Sequence, residues 1–428
     1  MKVCVVALGK IGLPLAVQFA RSGHQVVGAD IDQRAVDLIQ AATAPFPGET
    51  NLDEYLAEVR ANGTLTATTD TVAAVSDAEV VVIVVPLVVD RSGVPDFRAM
   101  DAATASVGAG LQEGTLVVYE TTLPVGTTRQ RFAPALIEAT GYALGRELFV
   151  AFSPERVYSS RIFSDLSRYP KLVGGLDEAS TAKAVVFYES ALQFENRDDL
   201  ARPNGVWDLG TAEAAELAKL AETTYRDINI GYANELAKYS DAHGLDVLAV
   251  IDACNSQPFS HIHRPGIAVG GHCIPVYPLF YLTGDPTAAL PAAARVVNES
   301  MPAYAVQRLI DACGDLAGRT VAVLGLAYRG GVKESAFSGA FGVVDALQRE
   351  GATALVHDPL YSDDEIRSHG FQPYSMGHRC DAAILQADHS EYQSLSVSML
   401  GGATVIVDGR NCLPADTDLT VISIGRSR

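Results

Sequence analysis

Short runs of Val, Ile and Leu at 2–7, 25–29, 80–85, 115–119 and 147–152 alternate with alanine-rich stretches of helical composition. Strands that are apolar at nearly every position are buried on both faces, the condition of parallel strands covered by crossover helices. The pattern therefore predicts an α/β protein with a doubly wound parallel sheet. Between Thr211 and His243 there is no proline, and Gly231 is the one glycine; Leu217, Leu220, Ala221, Thr224, Ile228 and Leu236 recur at roughly helical spacing. This reads as a single long helix closed by Gly244, with a broken pair of helices as the alternative. At 1.5 Å per residue it would reach ~50 Å, longer than one domain is wide, so it bridges two lobes or packs against its own copy. From Thr320 the opening order returns: a strand Val321–Leu324, a turn from Gly325 to Gly331, a helix near Ala340–Arg349, and a strand Ala354–His357 ending in Asp358. Two further strands, 382–385 and 404–407, complete a smaller second sheet, and the boundaries fall near 205 and 318.

A chain of 428 residues exceeds one compact core and suggests about three domains. Hydrophobic residues at 48% and charged residues at 19% exclude a disordered chain. Thirty-two Lys and Arg against 51 Asp and Glu leave a net charge of −19. Such a surface repels nucleic acid and anionic membranes, and an anionic ligand needs a local positive pocket. The six cysteines are scattered without a CxxC pair, which fits reduced thiols in a cytosol. The apolar run at 3–7 is short for a signal peptide, and Val80–Val85 covers about a third of a membrane span. A cytoplasmic protein is expected.

After the first strand stand Ala7-Leu8-Gly9-Lys10-Ile11-Gly12-Leu13-Pro14, and the second strand ends in Asp30. Strand, glycine turn, helix, strand and terminal acid together favour a dinucleotide site over a bare structural turn. Gly9 allows backbone approach to a pyrophosphate, Gly12 allows helix and strand to pack, and the helix N-terminus faces the phosphates. Ala7 replaces the usual first glycine. Asp30 would accept from both ribose hydroxyls and repel a 2′-phosphate, so NAD is favoured over NADP, with Arg34 as the contrary hint. Pro86, after the third apolar run, joins Gly9, Lys10, Ile11, Gly12, Asp30, Arg34 and Thr122 as a cofactor-binding candidate.

A second signal is Gly270-Gly271-His272-Cys273-Ile274-Pro275. A thiol beside bare backbone amides and a histidine suits a nucleophilic thiolate, though an inert cysteine is equally compatible. His261, His263, His272 and Cys273 invite a zinc reading, which the adjacent Cys-His positions and glycine-rich spacer disfavour. No metal is expected.

These residues, with Tyr119-Glu120-Thr121-Thr122-Leu123-Pro124-Val125-Gly126-Thr127-Thr128, Ser153-Pro154-Glu155-Arg156-Val157 and Ala215-Glu216-Leu217-Ala218-Lys219-Leu220, follow the order of the UDP-glucose/GDP-mannose dehydrogenase family, which the chain resembles over essentially its whole length. Ser-Pro-Glu-Arg-Val and Gly-His-Cys-Ile-Pro are most similar to the UDP-N-acetylhexosamine branch. The resemblance implies two Rossmann-like domains, an NAD-binding one at 1–204 and a nucleotide-sugar-binding one at 318–428. A central helical domain at 205–317 would join them, its long helix forming a homodimer. It implies oxidation of a sugar C6 alcohol to a carboxylate with two NAD, by way of a thiohemiacetal and thioester on Cys273. Lys219 would hold the C6 oxygen, Glu155 would activate the hydrolytic water, and Thr122 would orient it. Glu155, Arg156, Lys219, Arg264, the loop from Gly266 through Gly270 and Gly271, and Arg329 would bind the nucleotide sugar. The alternatives are a UDP-glucose 6-dehydrogenase and a catalytically weak nucleotide-sugar-binding homologue.

The sequence departs from the family at Thr223, where Asn is usual, and at Tyr277, where Asp is usual. It departs also at Ala268 in the glycine loop, at Tyr328-Arg329, where Tyr-Lys is usual, and at Ala336-Phe337-Ser338-Gly339, where Arg-Glu-Ser-Pro is usual. These put the sugar identity and the nucleotide pocket most in question.

Overall fold

The computed structural model describes residues 1–90 and 93–426. They form two compact units, Met1–Ala221 and Glu222–Arg428.

In the first unit, among the described residues, eight strands make one sheet: β1 (Lys2–Val6), β2 (Gln25–Ala29), β3 (Leu65–Thr68), β4 (Val80–Ile83), β5 (Leu116–Tyr119), β6 (Phe149–Phe152), β7 (Lys171–Gly175) and β8 (Val206–Asp208). Their order is β8-β7-β6-β5-β4-β1-β2-β3. Strands β1 to β6 run parallel. Every residue of β4, β5 and β6 is buried, which is why they read as unbroken apolar runs. The strand order reverses between β1 and β4, and the crevice above such a reversal is where open α/β sheets bind ligands. Strand β7 departs from the all-parallel expectation. It runs against β6, with Ala151 opposite Gly175 and Phe152 opposite Gly174, and β8 follows it in parallel. Helix α1 (Gly12–Arg21) buries Leu13, Leu15 and Phe19, and the Phe19 ring meets Phe187 edge-on at 5.2 Å.

Helix α2 runs unbroken from Ala212 to His243. Gly244, at φ +69°, ends it in the left-handed conformation that glycine adopts without strain. The division between the units falls inside this helix.

In the second unit, among the described residues, six parallel strands form a sheet: β9 (Thr320–Leu324), β10 (Thr353–His357), β11 (Gln372–Pro373), β12 (Ala382–Leu385), β13 (Val405–Asp408) and β14 (Thr420–Ser423), in the order β11-β10-β9-β12-β13-β14. Helices α3 (Tyr277–Gly284), α4 (Ala289–Cys313) and α5 (Gly339–Arg349) belong to it. Val321 and Val323 of β9, Val343 and Leu347 of α5, and Met301 and Ala305 of α4 share one buried cluster. Asp227 and Asn234 of α2 are fully buried against α4. There Arg295 forms a bidentate ion pair with Asp227, and Asn298 bonds both Asp227 and Asn234. No helix among the described residues is long and apolar enough to cross a membrane.

Candidate active site

The turn after β1 is built by three constraints. Ala7 takes φ +74°, a left-handed conformation costly for a residue with a Cβ, while its N–H bonds the Ala29 carbonyl. The N–H of Leu8 donates to one Asp30 oxygen at 2.7 Å, and that of Asp32 to the other at 2.9 Å. At Gly12 a Cβ would lie 1.9 Å from the Ala7 carbonyl oxygen, so only glycine lets α1 begin here. At Gly9 the same atom would project into open space. Helix α1 begins without a side-chain cap, Lys10 is exposed and Ile11 half-buried. Beyond Asp30, Ile31 is 96% exposed, and the exposed Arg34 bonds the Asp32 side chain through its backbone N–H. An open approach to the backbone, a positive helix end, a half-buried carboxylate held by two amides and a bare apolar side chain fit the pyrophosphate, ribose and base of a dinucleotide. Pro86 lies exposed after β4 and Thr122 buried after β5. The Thr121 hydroxyl ties the two loops together through the Val85 carbonyl at 2.7 Å.

At the same edge of the sheet Glu155 follows β6. One of its oxygens accepts from the Arg156 N–H and the other from Lys171 Nζ at 2.8 Å. Lys171 Nζ also donates to Glu120 at 2.8 Å, and Tyr188 Oη donates to the remaining Glu120 oxygen at 2.5 Å. Burial works against the charge on Glu155, but Lys171 and, more distantly, Lys219 hold its carboxyl below the ordinary value. Burial pushes Glu120 up to about 7, against the pull of Lys171. Lys219 is buried in α2, and one turn before it Glu216 accepts from the N–H groups of Gly126 and Thr128 and from the Thr128 hydroxyl. Glu216 thereby ties α2 to the loop following Thr122. The Arg156 guanidinium bonds the Pro170 carbonyl.

The second unit carries Cys273. It is exposed, and its carbonyl accepts from the Tyr277 N–H at 2.9 Å at the head of α3. His272 beside it meets Glu334 at 3.3 Å. The glycine loop is fastened at both ends. Gly266 N–H donates to Asn234, Ile267 N–H to Gly409, and Gly271 N–H to Ala336. At Gly270 a Cβ would lie 2.5 Å from Tyr328 Cβ, so the loop and the turn after β9 touch backbone to side chain. Arg329 Nε donates to the Tyr328 hydroxyl at 3.0 Å. Arg264 pairs with Asp252 of the helix Val247–Cys254. Among the described residues no group of three or more His, Cys, Asp or Glu is placed to hold a metal ion.

Glu155 and Lys219 thus share one electrostatic environment in the first unit, and Cys273, Gly266, Gly270, Gly271, Arg264 and Arg329 belong to the second. Lys171 and Arg410 escaped the sequence reading, and Glu120 and Glu216, though they stand in the motifs quoted above, were given no role there. Arg410 donates to the carbonyls of Gln386 and Tyr328 and reaches that of Ala268, clamping the glycine loop to the turn after β9. A lysine heading the apolar run Lys171-Leu172-Val173 and an arginine after the strand end Asp408-Gly409 were the available signals.

The chain matches the NAD binding domain (residues 1–192), the central domain (213–300) and the UDP binding domain (322–415) of one family. The chain belongs to the UDP-glucose/GDP-mannose dehydrogenase family. It is an NAD-dependent nucleotide-sugar dehydrogenase. It is 34% identical over 423 residues to a UDP-N-acetyl-D-mannosamine dehydrogenase of Pyrococcus horikoshii, covering 96% of each chain. It is 31% identical over 415 residues to an NDP-N-acetyl-D-galactosaminuronic acid dehydrogenase of Ralstonia solanacearum, covering 94% of each. Among solved structures, a UDP-D-ManNAc dehydrogenase from Pyrococcus horikoshii superimposes with a TM-score of 0.88 at 32% identity, covering 100% of both chains.

Proposed function

We propose that this dehydrogenase oxidises the C6 primary alcohol of a UDP-N-acetylhexosamine to the uronic acid in two stages, the second passing through Cys273. The observation that carries this reading is the half-buried Glu155 carboxylate, paired with Lys171 Nζ at 2.8 Å and kept below its ordinary pKa within the field of Lys219. A base for water beside a cation for an oxyanion is what the hydrolysis of an acyl intermediate requires. The turn at Gly9–Gly12 and Asp30 would hold NAD, which would supply the hydride acceptor for each oxidation. After the first, the Cys273 thiolate adds to the C6 aldehyde. The thiohemiacetal loses the second hydride to become a thioester, and water activated by Glu155 and oriented by Thr122 releases the carboxylate and restores the thiol. Lys219 stabilises the oxygen as it gains charge. The UDP part lies against the loop 266–271, and Arg329 supplies the local positive charge an acidic protein needs for a diphosphate. In this reading the chain works as three functional segments, 1–204, 205–317 and 318–428. Tyr225, Tyr232 and Tyr239, each more than half exposed and seven residues apart on α2, support a homodimer built on that helix. The relatives named for N-acetylmannosamine and N-acetylgalactosaminuronic acid support the N-acetylhexosamine assignment.

The test is an NADH count with mass spectrometry of the product over a panel of nucleotide sugars. The expected result is a carboxylate with two NADH per UDP-N-acetylhexosamine, and Cys273→Ala should stop at the aldehyde or its hydrate with one. A wild-type enzyme yielding an aldehyde at a 1:1 ratio overturns the four-electron reading, and a carboxylate that survives Cys273→Ala overturns the thioester route.

A further inference from the structure

Three neighbouring strands deliver the buried charges around Glu155, and one of them does so only because it runs backwards. Glu120 follows the end of β5 and Glu155 lies just beyond the end of β6, both at the carboxyl edge of the sheet. A parallel β7 would present its last residues there. Because β7 is antiparallel to β6, its first residue, Lys171, arrives instead: extending the pairing of Phe152 with Gly174 sets position 155 opposite position 171. Lys171 is 4% exposed, and its ammonium lies 2.8 Å from both carboxylates and 4.7 Å above the Tyr188 ring. Two donors thus have named acceptors, and the remaining side of the charge rests against an aromatic face. A lysine so enclosed has no freedom to serve as a solvated surface charge, and burying two carboxylates without it would be costly. The Glu155 oxygen that does not meet Lys171 is fixed by the Arg156 N–H, which sets the plane of the carboxylate.

We propose that Lys171, anchored by Glu120, is the positioning residue that fixes the Glu155 carboxylate in place and in its ionised form for its work on water. This rests on the water-activating role given to Glu155 above. The titratable and charged groups facing Glu155 are Lys171, Glu120, Tyr188, Lys219 and Arg156. Of these, Lys171 supplies the largest pull toward the ionised form.

The experiment measures carboxylate formation between pH 5 and 9. In Lys171→Met the loss of the nearest cation moves the acid limb upward by about one pH unit or more, a roughly tenfold loss of rate on that limb, with KM for the nucleotide sugar nearly unchanged. Lys171→Arg, which keeps the charge, returns the limb toward its wild-type position. Should Lys171→Met fail to fold, the pair Lys171→Met with Glu120→Gln removes one positive and one negative charge, so the net charge of the cluster is kept while the bridge is lost. Its folding is checked by NAD binding, and its kcat falls about tenfold with KM kept. Wild-type kcat and acid limb in either folded variant overturn the proposal. Glu155→Gln separates the two ideas. If it hydrolyses at the wild-type rate, the role of Glu155 itself falls and the proposal with it. If it is inactive while the Lys171 variants keep the wild-type profile, the positioning role alone falls.

Discussion

The chain contains the same local device twice, a strand, a glycine turn, a helix and a second strand ending in aspartate, and the two copies have been put to opposite uses. In the first, the Asp30 carboxylate is half-buried and held by two backbone amides, and the direction of a Gly9 Cβ opens on empty space. In the second, Asp358 is 2% exposed and crowded by donors: the N–H groups of Leu326, Ala327 and Leu360, and His389 Nε2 at 3.1 Å. A Cβ at Gly325 would lie 2.4 Å from Ala387, and α5 starts only at Gly339. Asp358 is a brace, where Asp30 is the proposed receptor. The difference is one of filling: the turn places one amide on each Asp30 oxygen, but three donors on one Asp358 oxygen and one on the other.

The largest effects should come from the glycines of the first copy. Gly12→Ala drives a Cβ into a backbone oxygen and should cost roughly 3 kcal/mol or more of stability together with NAD binding. Gly9→Ala should melt within a few degrees of wild type yet bind NAD at least about tenfold more weakly, because the added methyl enters the space a pyrophosphate needs. Thermal melting beside NAD titration reads both, and equal NAD affinity in Gly9→Ala would remove that turn from the cofactor site.

Next come the two acids. Asp358→Ala strands three amides and a histidine and should cost about 3 kcal/mol while leaving KM for NAD alone. Asp30→Ala should do the reverse, raising KM for NAD by about tenfold and weakening discrimination against NADP. The comparison extends to pH. Burial opposes the charge of Asp358, but His389 and the amides of Ala327 and Leu360 hold its carboxyl below the ordinary value. The stability it contributes is thus present above pH ~4 and lost as pH falls through the folded value. Asp358→Asn lacks that dependence, so the gap in melting temperature between it and wild type should narrow on acidification.

The smallest effect is a gain. Ala7 and Gly325 are the first residues after β1 and β9, each donating its N–H to the neighbouring strand's last carbonyl, at φ +74° and +112°. Ala7→Gly relieves the strain of the first and should raise stability by about 0.5–1 kcal/mol, read by denaturant titration. A loss would mean that the Ala7 methyl packs more favourably than its backbone is strained.

What the sequence reveals follows the range of the interaction. The parallel strands are legible because burial on both faces leaves an apolar run, and α2 because helical spacing persists through Ile228 and Leu236. Strand β3 escapes because Leu65-Thr66-Ala67-Thr68 alternates in burial, and β7 because nothing local in Lys171–Gly175 tells its direction. Asp30 is legible from its distance to Gly9. Lys171 and Arg410 are not, since their partners lie tens of residues away, on other strands and in loops.

Helix α2 sets a limit on how this chain can change length. Asp227 and Asn234 are buried on it seven residues apart, while Tyr225, Tyr232 and Tyr239 are exposed at the same interval. One residue inserted between Asp227 and Asn234 turns everything beyond it by ~100°, since the helix has 3.6 residues per turn. The amide now held by Asn298 and Gly266 would then point elsewhere, and no later loop within the helix restores the phase. A wider turn does occur at Thr128–Phe132, a π-helical segment leading into the helix Ala133–Thr140, but α2 contains none. Between Asp227 and Asn234 insertions and deletions should be lethal to the fold even where substitutions on the exposed face leave it folded, which makes that stretch a fixed-length segment rather than a fixed sequence.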